Sequence, residues 1–254
     1  MRRLFSPRWI LVHLGVALLV FTMVNLGFWQ LHRLDEKKAF NARVLENTTR
    51  PVVDISQMPE QPTVDYQWDV SEWGRVKLVG HYDTNHVVTI INRSQDGTAG
   101  YDIAVPFVNG DGTIHLVNRG FVPLAIPHPP TPEGNISIIG YVRLSQRRSA
   151  VGAVDSTDAS NTEFQRFDIP LIAKATDVNM LNGGYIQLIQ ESPSANTQWP
   201  ATVAIPALDE GPHLSYAMQW FFFSATALTA WVLVVRRKLR EPLNDPIAPE
   251  QTSA

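Results

Sequence analysis

The chain has 254 residues, a formal net charge of −3 and no cysteine. Without thiols it carries no disulfide, no thiol-based copper relay or redox catalysis, and no covalent c-type haem. The charge balance provides no basic excess, so no nucleic-acid partner is expected.

The apolar residues are concentrated in two places. Residues 1–9 form a short tail with Arg2, Arg3 and Arg8 and no acid. Residues 10–31, ILVHLGVALLVFTMVNLGFWQL, follow without a formal charge except a possible one at His13. Residues 214–235, LSYAMQWFFFSATALTAWVLVV, have none. Each run is 22 residues long, enough to cross a hydrocarbon core of about 30 Å as a helix. The first run is too long for a signal-peptide core, and GFWQLHRL contains no small-x-small cleavage site, so it is expected to be retained. Arg236, Arg237, Lys238 and Arg240 follow the second run. Basic flanks favour the cytoplasmic side. Both tails, 1–9 and 236–254, are therefore expected inside, with residues 32–213 outside. Acids outnumber bases 21 to 14 over residues 32–212. Arg33, Lys37 and Lys38 oppose this orientation, but the tails are denser in base. The lipid bilayer is thus the first partner expected, as a plasma membrane, or the mitochondrial inner membrane in a eukaryote.

After the first span, LDEKKAFNARVLEN is expected to continue the helix until Arg50-Pro51 stops it. MPEQPTVDYQ at residues 58–67 reads as a loop. Strand-like stretches then recur at residues 75–82, 86–91, 101–108, 113–122, 135–144, 164–172 and 185–190. NGDG at residues 109–112 supplies a hairpin turn. Residues 149–161 are small and polar, and read as a loop. The expected fold is a membrane protein in which two transmembrane α-helices flank an extracytoplasmic, mainly-β domain, a small antiparallel barrel or sandwich.

No phosphate loop, GxSxG or HExxH occurs. With no nucleophile–base set to name, the chain is expected not to be an enzyme. His81 and His86, five residues apart, would fall on opposite faces of a strand and make a poor metal pair. VNRGFVP, residues 117–123, interrupts an apolar strand with Asn118, Arg119 and Gly120. Gly120 suggests a bulge, and Asn118 can bond locally to the backbone. Two readings of Arg119 stay open: it is aimed at a carboxylate, a propionate or a partner protein, or it forms an Arg–Asp bridge inside the domain.

The span edges hold the other candidates. Asn25, Trp29 and Arg33 share one face of the first helix, and His213, Tyr216, Ala217 and Trp220 share one face of the second. An aromatic belt with a snorkelling Arg33 explains the aromatics. It does not explain Asn25, Gln30, His213 and Gln219, because polar groups near lipid pair or serve a site. If the two faces pack together, they make a pocket with one imidazole, several aromatics and a guanidinium.

GFWQLHRLDEK after the first span, VNRGFVP in the middle and HLSYAMQWFFFSA opening the second span are together similar to the surfeit-locus-one family of cytochrome c oxidase assembly factors. The middle motif has Phe121 where that family usually has tryptophan. The resemblance implies a role in building haem-copper oxidase, with haem a held or delivered for the catalytic subunit. The partners it implies are oxidase subunits, chiefly the haem-bearing one, and haem a synthase. It implies His213 as a haem-iron ligand, with His32 as the alternative or second ligand. Tyr216, Trp220 and Trp29 would line the haem, and Arg33 or Arg119 would meet its propionates. The competing expectation is a scaffold or accessory subunit that stabilises the oxidase without haem; the aromatic-plus-arginine motifs would then be interface anchors.

Overall fold

The computed structural model describes residues 2–57, 72–156, 158, 161–181, 183–194 and 197–240. The loop expected at residues 58–67 and most of the second tail, 241–254, lie outside the described residues. The chain divides into two compact units, Met1–Asn41 with Leu208–Ala254, and Ala42–Ala207.

The first unit is built on two long helices. Helix α1 runs unbroken over Pro7–Thr49. Its proline start suits the first turn, where the missing N–H is no loss. It ends just before Arg50-Pro51, where a proline disfavours helical geometry in the residue before it. The C-terminal long helix covers His213–Arg240. Both are long and apolar enough to cross a membrane. The seam between them is set by Gly27: a Cβ there would stand 2.5 Å from the Phe221 ring. Leu34 and Ala217 are buried, and Phe28 meets Phe221 edge-on at 5.4 Å. Farther along the same seam, Trp231 Nε1 donates to His13 Nδ1 at 3.1 Å. An indole N–H can only donate, so His13 carries its proton on Nε2 and gives it to Leu4 O at 3.2 Å. Both ring nitrogens are thereby hydrogen-bonded.

The second unit is mainly β. Its strands are β1 Val53–Asp54, β2 Arg75–Tyr82, β3 Val88–Gln95, β4 Thr98–Asn109, β5 Ile114–Pro123, β6 Ile136–Leu144, β7 Glu163–Phe164 and β8 Gly184–Ser192. Strand β2 pairs with both β6 and β4. β6 pairs with β8, β8 with β5, and β5 with β4, so the pairings return to β2. β3 and β7 extend from β4. Most pairs are antiparallel, as expected, but β1–β2, β3–β7 and β5–β8 are parallel. The alternating residues of β2 and β6 put Val76, Leu78, Ile136, Ile138 and Val142 into one apolar cluster with Ile103, Val105 and Val117. Burying each contributes about 1.5–3 kcal/mol.

A second cluster lies on the other side of β3, β4 and β5, which explains why β5 is buried almost throughout. Its cover is a helix where the sequence reading expected a strand. Residues 164–172 give only the two-residue β7, and then helix α2, Ile169–Thr176, with the C-terminal long helix becoming α3. Asp168 caps α2 by accepting from Leu171 N, Pro170 sits in its first turn, and Asp177 closes it in the left-handed region. Cap and proline together are a helix-start signal that outweighs the apolar run. His81 and His86 do not share a strand: His81 is exposed on β2, while His86 ends a 3₁₀ turn over Thr84–His86 and its Nδ1 meets Asp83 Oδ2 at 2.6 Å.

Candidate functional site

Strand β5 carries VNRG into the β domain. Ile103 pairs with Gly120 and Ala104 with Asn118, so Arg119 is the extra residue of a bulge. Gly120 has φ +133°, and a Cβ on it would lie 2.2 Å from Ala201 O. Only glycine suits both conditions. Asn118 locks the bulge: its Oδ1 accepts from Gly120 N at 3.0 Å, and its Nδ2 donates to Asp102 Oδ2 at 3.3 Å. The bulge turns Arg119 into a buried site, with a side chain 1 % exposed. Its Nη2 donates to Glu191 Oε1 at 3.1 Å, and its Nη1 to Pro130 O, also at 3.1 Å. Tyr82 donates to the other oxygen of Glu191 at 3.3 Å, and the guanidinium stands 5.4 Å from the Tyr82 ring centre. Burial first, and the Glu191 carboxylate second, hold the Tyr82 hydroxyl in its protonated form. Arg119 is therefore part of an internal ion pair, with a glutamate in place of the expected aspartate. A guanidinium so enclosed does not reach outward to a propionate or partner.

The helical unit carries the other motif residues. His213 opens α3, and its ring faces α1: Nδ1 lies 2.9 Å from Gln30 Oε1. With the amide oxygen as acceptor, Nδ1 is the donor, so in the neutral tautomer Nε2 is the nitrogen that carries the lone pair. Nε2 makes no hydrogen bond among the described residues. The segment leading into α3 is tied down by Asn41 Nδ2 donating to Asp209 O at 2.9 Å and by Lys38 and Glu210 at 3.7 Å.

The pocket expected from Trp29, Arg33, Tyr216 and Trp220 around His213 is not assembled in this arrangement. The seam of α1 runs through Gly27, Gln30 and Leu34, spaced i, i+3 and i+7. Asn25, Trp29 and Arg33 are spaced i, i+4 and i+8, and at about 100° per residue their stripe is centred about 130° away around the helix. Trp29 and Tyr216 are exposed, and Asn25 bonds back to Phe21 O. His32 and Arg33 are exposed too, and both engage Glu36, at 3.1 and 2.6 Å. Trp220 is half-buried, edge-on to Phe223. Among the described residues no group of three or more His, Asp or Glu is placed to hold a metal ion; His213 stands as a single imidazole. Gln30 is the partner that face-matching missed, although its spacing from Gly27 was legible.

These features define a class: a mainly-β domain placed in sequence between two helices long and apolar enough to span a membrane. The family model described as the SURF1 family matches residues 17–225. The chain belongs to that family, whose members are known in general as cytochrome oxidase assembly factors rather than catalytic enzymes. It is 26 % identical over 228 residues to a SURF1-like protein of Rickettsia bellii, covering 88 % of this chain and 90 % of that one. It is 28 % identical over 234 residues to an uncharacterized SURF1-like protein of Mycobacterium tuberculosis, covering 88 % and 82 %. With mouse Surfeit locus protein 1 the identity is 23 % over 236 residues, covering 85 % and 73 %.

Proposed function

We propose that this chain assists the assembly of cytochrome c oxidase and holds haem a, as cargo for the catalytic subunit, through Nε2 of His213. The observation that carries the reading is the hydrogen bond from His213 Nδ1 to Gln30 Oε1. An imidazole that ligates iron through one nitrogen characteristically donates from the other to a fixed acceptor, which sets the tautomer and raises its basicity. The donor present therefore fits an iron ligand. The apolar surfaces of α1 and α3 suit the hydrocarbon tail of such a cargo. Neither Arg119, enclosed with Glu191, nor His32, engaged with Glu36, is needed for this role.

In this reading the two helices cross the membrane with the basic tails in the cytoplasm and the β domain outside. The cyclic strand pairing supports taking that domain as a small barrel. Its partners are the haem-bearing oxidase subunit and haem a synthase. The test is co-purification of the tagged chain from cells that are making oxidase. Recovery of the catalytic subunit with wild type, and its loss together with mature oxidase in His213→Ala at unchanged protein level, is the expected result. Equal oxidase maturation with His213→Ala would leave the chain as a scaffold without a haem role. No oxidase subunit in the wild-type eluate would overturn the assembly reading itself.

A further inference from the structure

The β domain holds a polar cavity of about 180 Å³ whose lining includes Arg93, Asp102, Asn118, Arg143, Tyr185 and Gln187. Two bulges shape it. On β3 the register slips between Ile90 and Arg93, with Asn92 at φ +59°. On β5 the slip at Arg119 brings Asn118 onto Asp102. Bulges of this kind re-aim side chains next to binding sites.

The cavity has two guanidinium groups in different states. Arg143 is committed: its Nε donates to Glu72 Oε1 at 3.2 Å, its Nη1 to Gln187 Oε1 at 3.0 Å, and its plane lies 3.6 Å from the centre of the Trp73 ring. Arg93 is open. Its Nε and Nη2 are both buried and have no hydrogen-bond partner among the described residues. Those two atoms form one edge of the guanidinium, with parallel N–H bonds that match the two oxygens of one carboxylate. Asp102 does not fill that edge. Its Oδ2 is 3.7 Å from Arg93 Nε, too far for a hydrogen bond, and accepts from Asn118 instead. Burial also raises the Asp102 carboxyl above its usual range. Phe167 supports the guanidinium from 5.7 Å and is itself stacked on Tyr185 at 4.0 Å.

We propose that this cavity binds the carboxylate of a small organic acid side-on to the Nε–Nη2 edge of Arg93. One open cation beside one aspartate favours a flat monoanion over a phosphate dianion, since the second charge would face Asp102. The site is independent of His213 and of any haem role.

The test is calorimetric titration of the detergent-purified full chain with butyrate, its neutral counterpart butyramide, and inorganic phosphate. Wild type is expected to bind butyrate with a dissociation constant on the order of 1 mM or tighter, and butyramide and phosphate at least tenfold more weakly. Arg93→Met is expected to weaken butyrate by about tenfold or more, and Arg93→Lys by nearly as much, because an ammonium lacks the fork. Asp102→Asn, which removes the neighbouring charge, is expected to tighten binding and does not depend on the Arg93 variants folding. Melting curves check that each variant is folded. Absence of butyrate binding in wild type, equal binding in a folded Arg93→Met, tighter binding of phosphate, or weaker binding in Asp102→Asn would each overturn the proposal.

Discussion

Single residues in the β domain are held by constraints that separate cleanly in experiment. Arg119 and Glu191 are 1 % and 10 % exposed. Removing one partner leaves a buried charge, so Arg119→Ala is expected to cost about 3–5 kcal/mol. The pair Arg119→Met with Glu191→Leu should cost less than the sum of the two single changes, measured by denaturant melts in a double-mutant cycle. Gly120 combines strain with a clash against Ala201 O, and Gly120→Ala should cost at least about 3 kcal/mol. Gly97, at φ +77° with open space around it, should lose only about 1 kcal/mol as alanine. His115 supplies a pH signature. It is buried, and desolvation lowers its pKa from 6.5 to about 4. The unfolded chain therefore binds the proton first, and stability falls as the pH drops from about 6.5 towards 4. The loss reaches roughly 3 kcal/mol at the acid end. Melting temperatures across that range should show the slope in wild type and a flatter one in His115→Gln.

Among the elements, the helix seam carries the sharpest prediction. The chain has no cysteine, so introduced thiols report without background. With Gln30→Cys and His213→Cys, a short bifunctional thiol reagent should crosslink α1 to α3. Adding Gly27→Leu should abolish the crosslink, because the side chain would occupy the space of the Phe221 ring; an undiminished crosslink would show that Gly27 does not set the approach. The seam also marks where sequence reading stops. Span length, the Arg50-Pro51 stop and the alternating strands β2 and β6 were legible because each follows from local chemistry or a simple period. The bulge at Gly120 was legible from one glycine in an apolar strand. Which face of α1 meets α3 was not, since polar and aromatic residues drew the reading to Asn25, Trp29 and Arg33, while the fit of Gly27 against Phe221 selects the stripe through Gln30. Helix α2 was misread because its apolar residues also suit a strand; Asp168 and Pro170 carried the deciding signal. The partner of Arg119 was beyond reach, for Glu191 lies 72 positions away.

For the molecule as a whole, the proposed haem role rests on one imidazole, His213, held by one amide, Gln30. The basic tails predict that a reporter fused after Ala254 and active only outside the cytoplasm will be silent, and an active fusion would reverse the orientation. Haem binding through His213 is tested by haem content per protein, read by absorbance on the full chain purified from cells that make haem a. Wild type is predicted to carry haem, His213→Ala to lose it while staying folded, and His32→Ala to keep it. Gln30→Leu should fall between, with affinity lowered about 10–100-fold, the usual effect of removing the group that orients a ligating histidine. Unchanged haem in His213→Ala would remove that imidazole as the ligand, and no haem in wild type would remove the haem role.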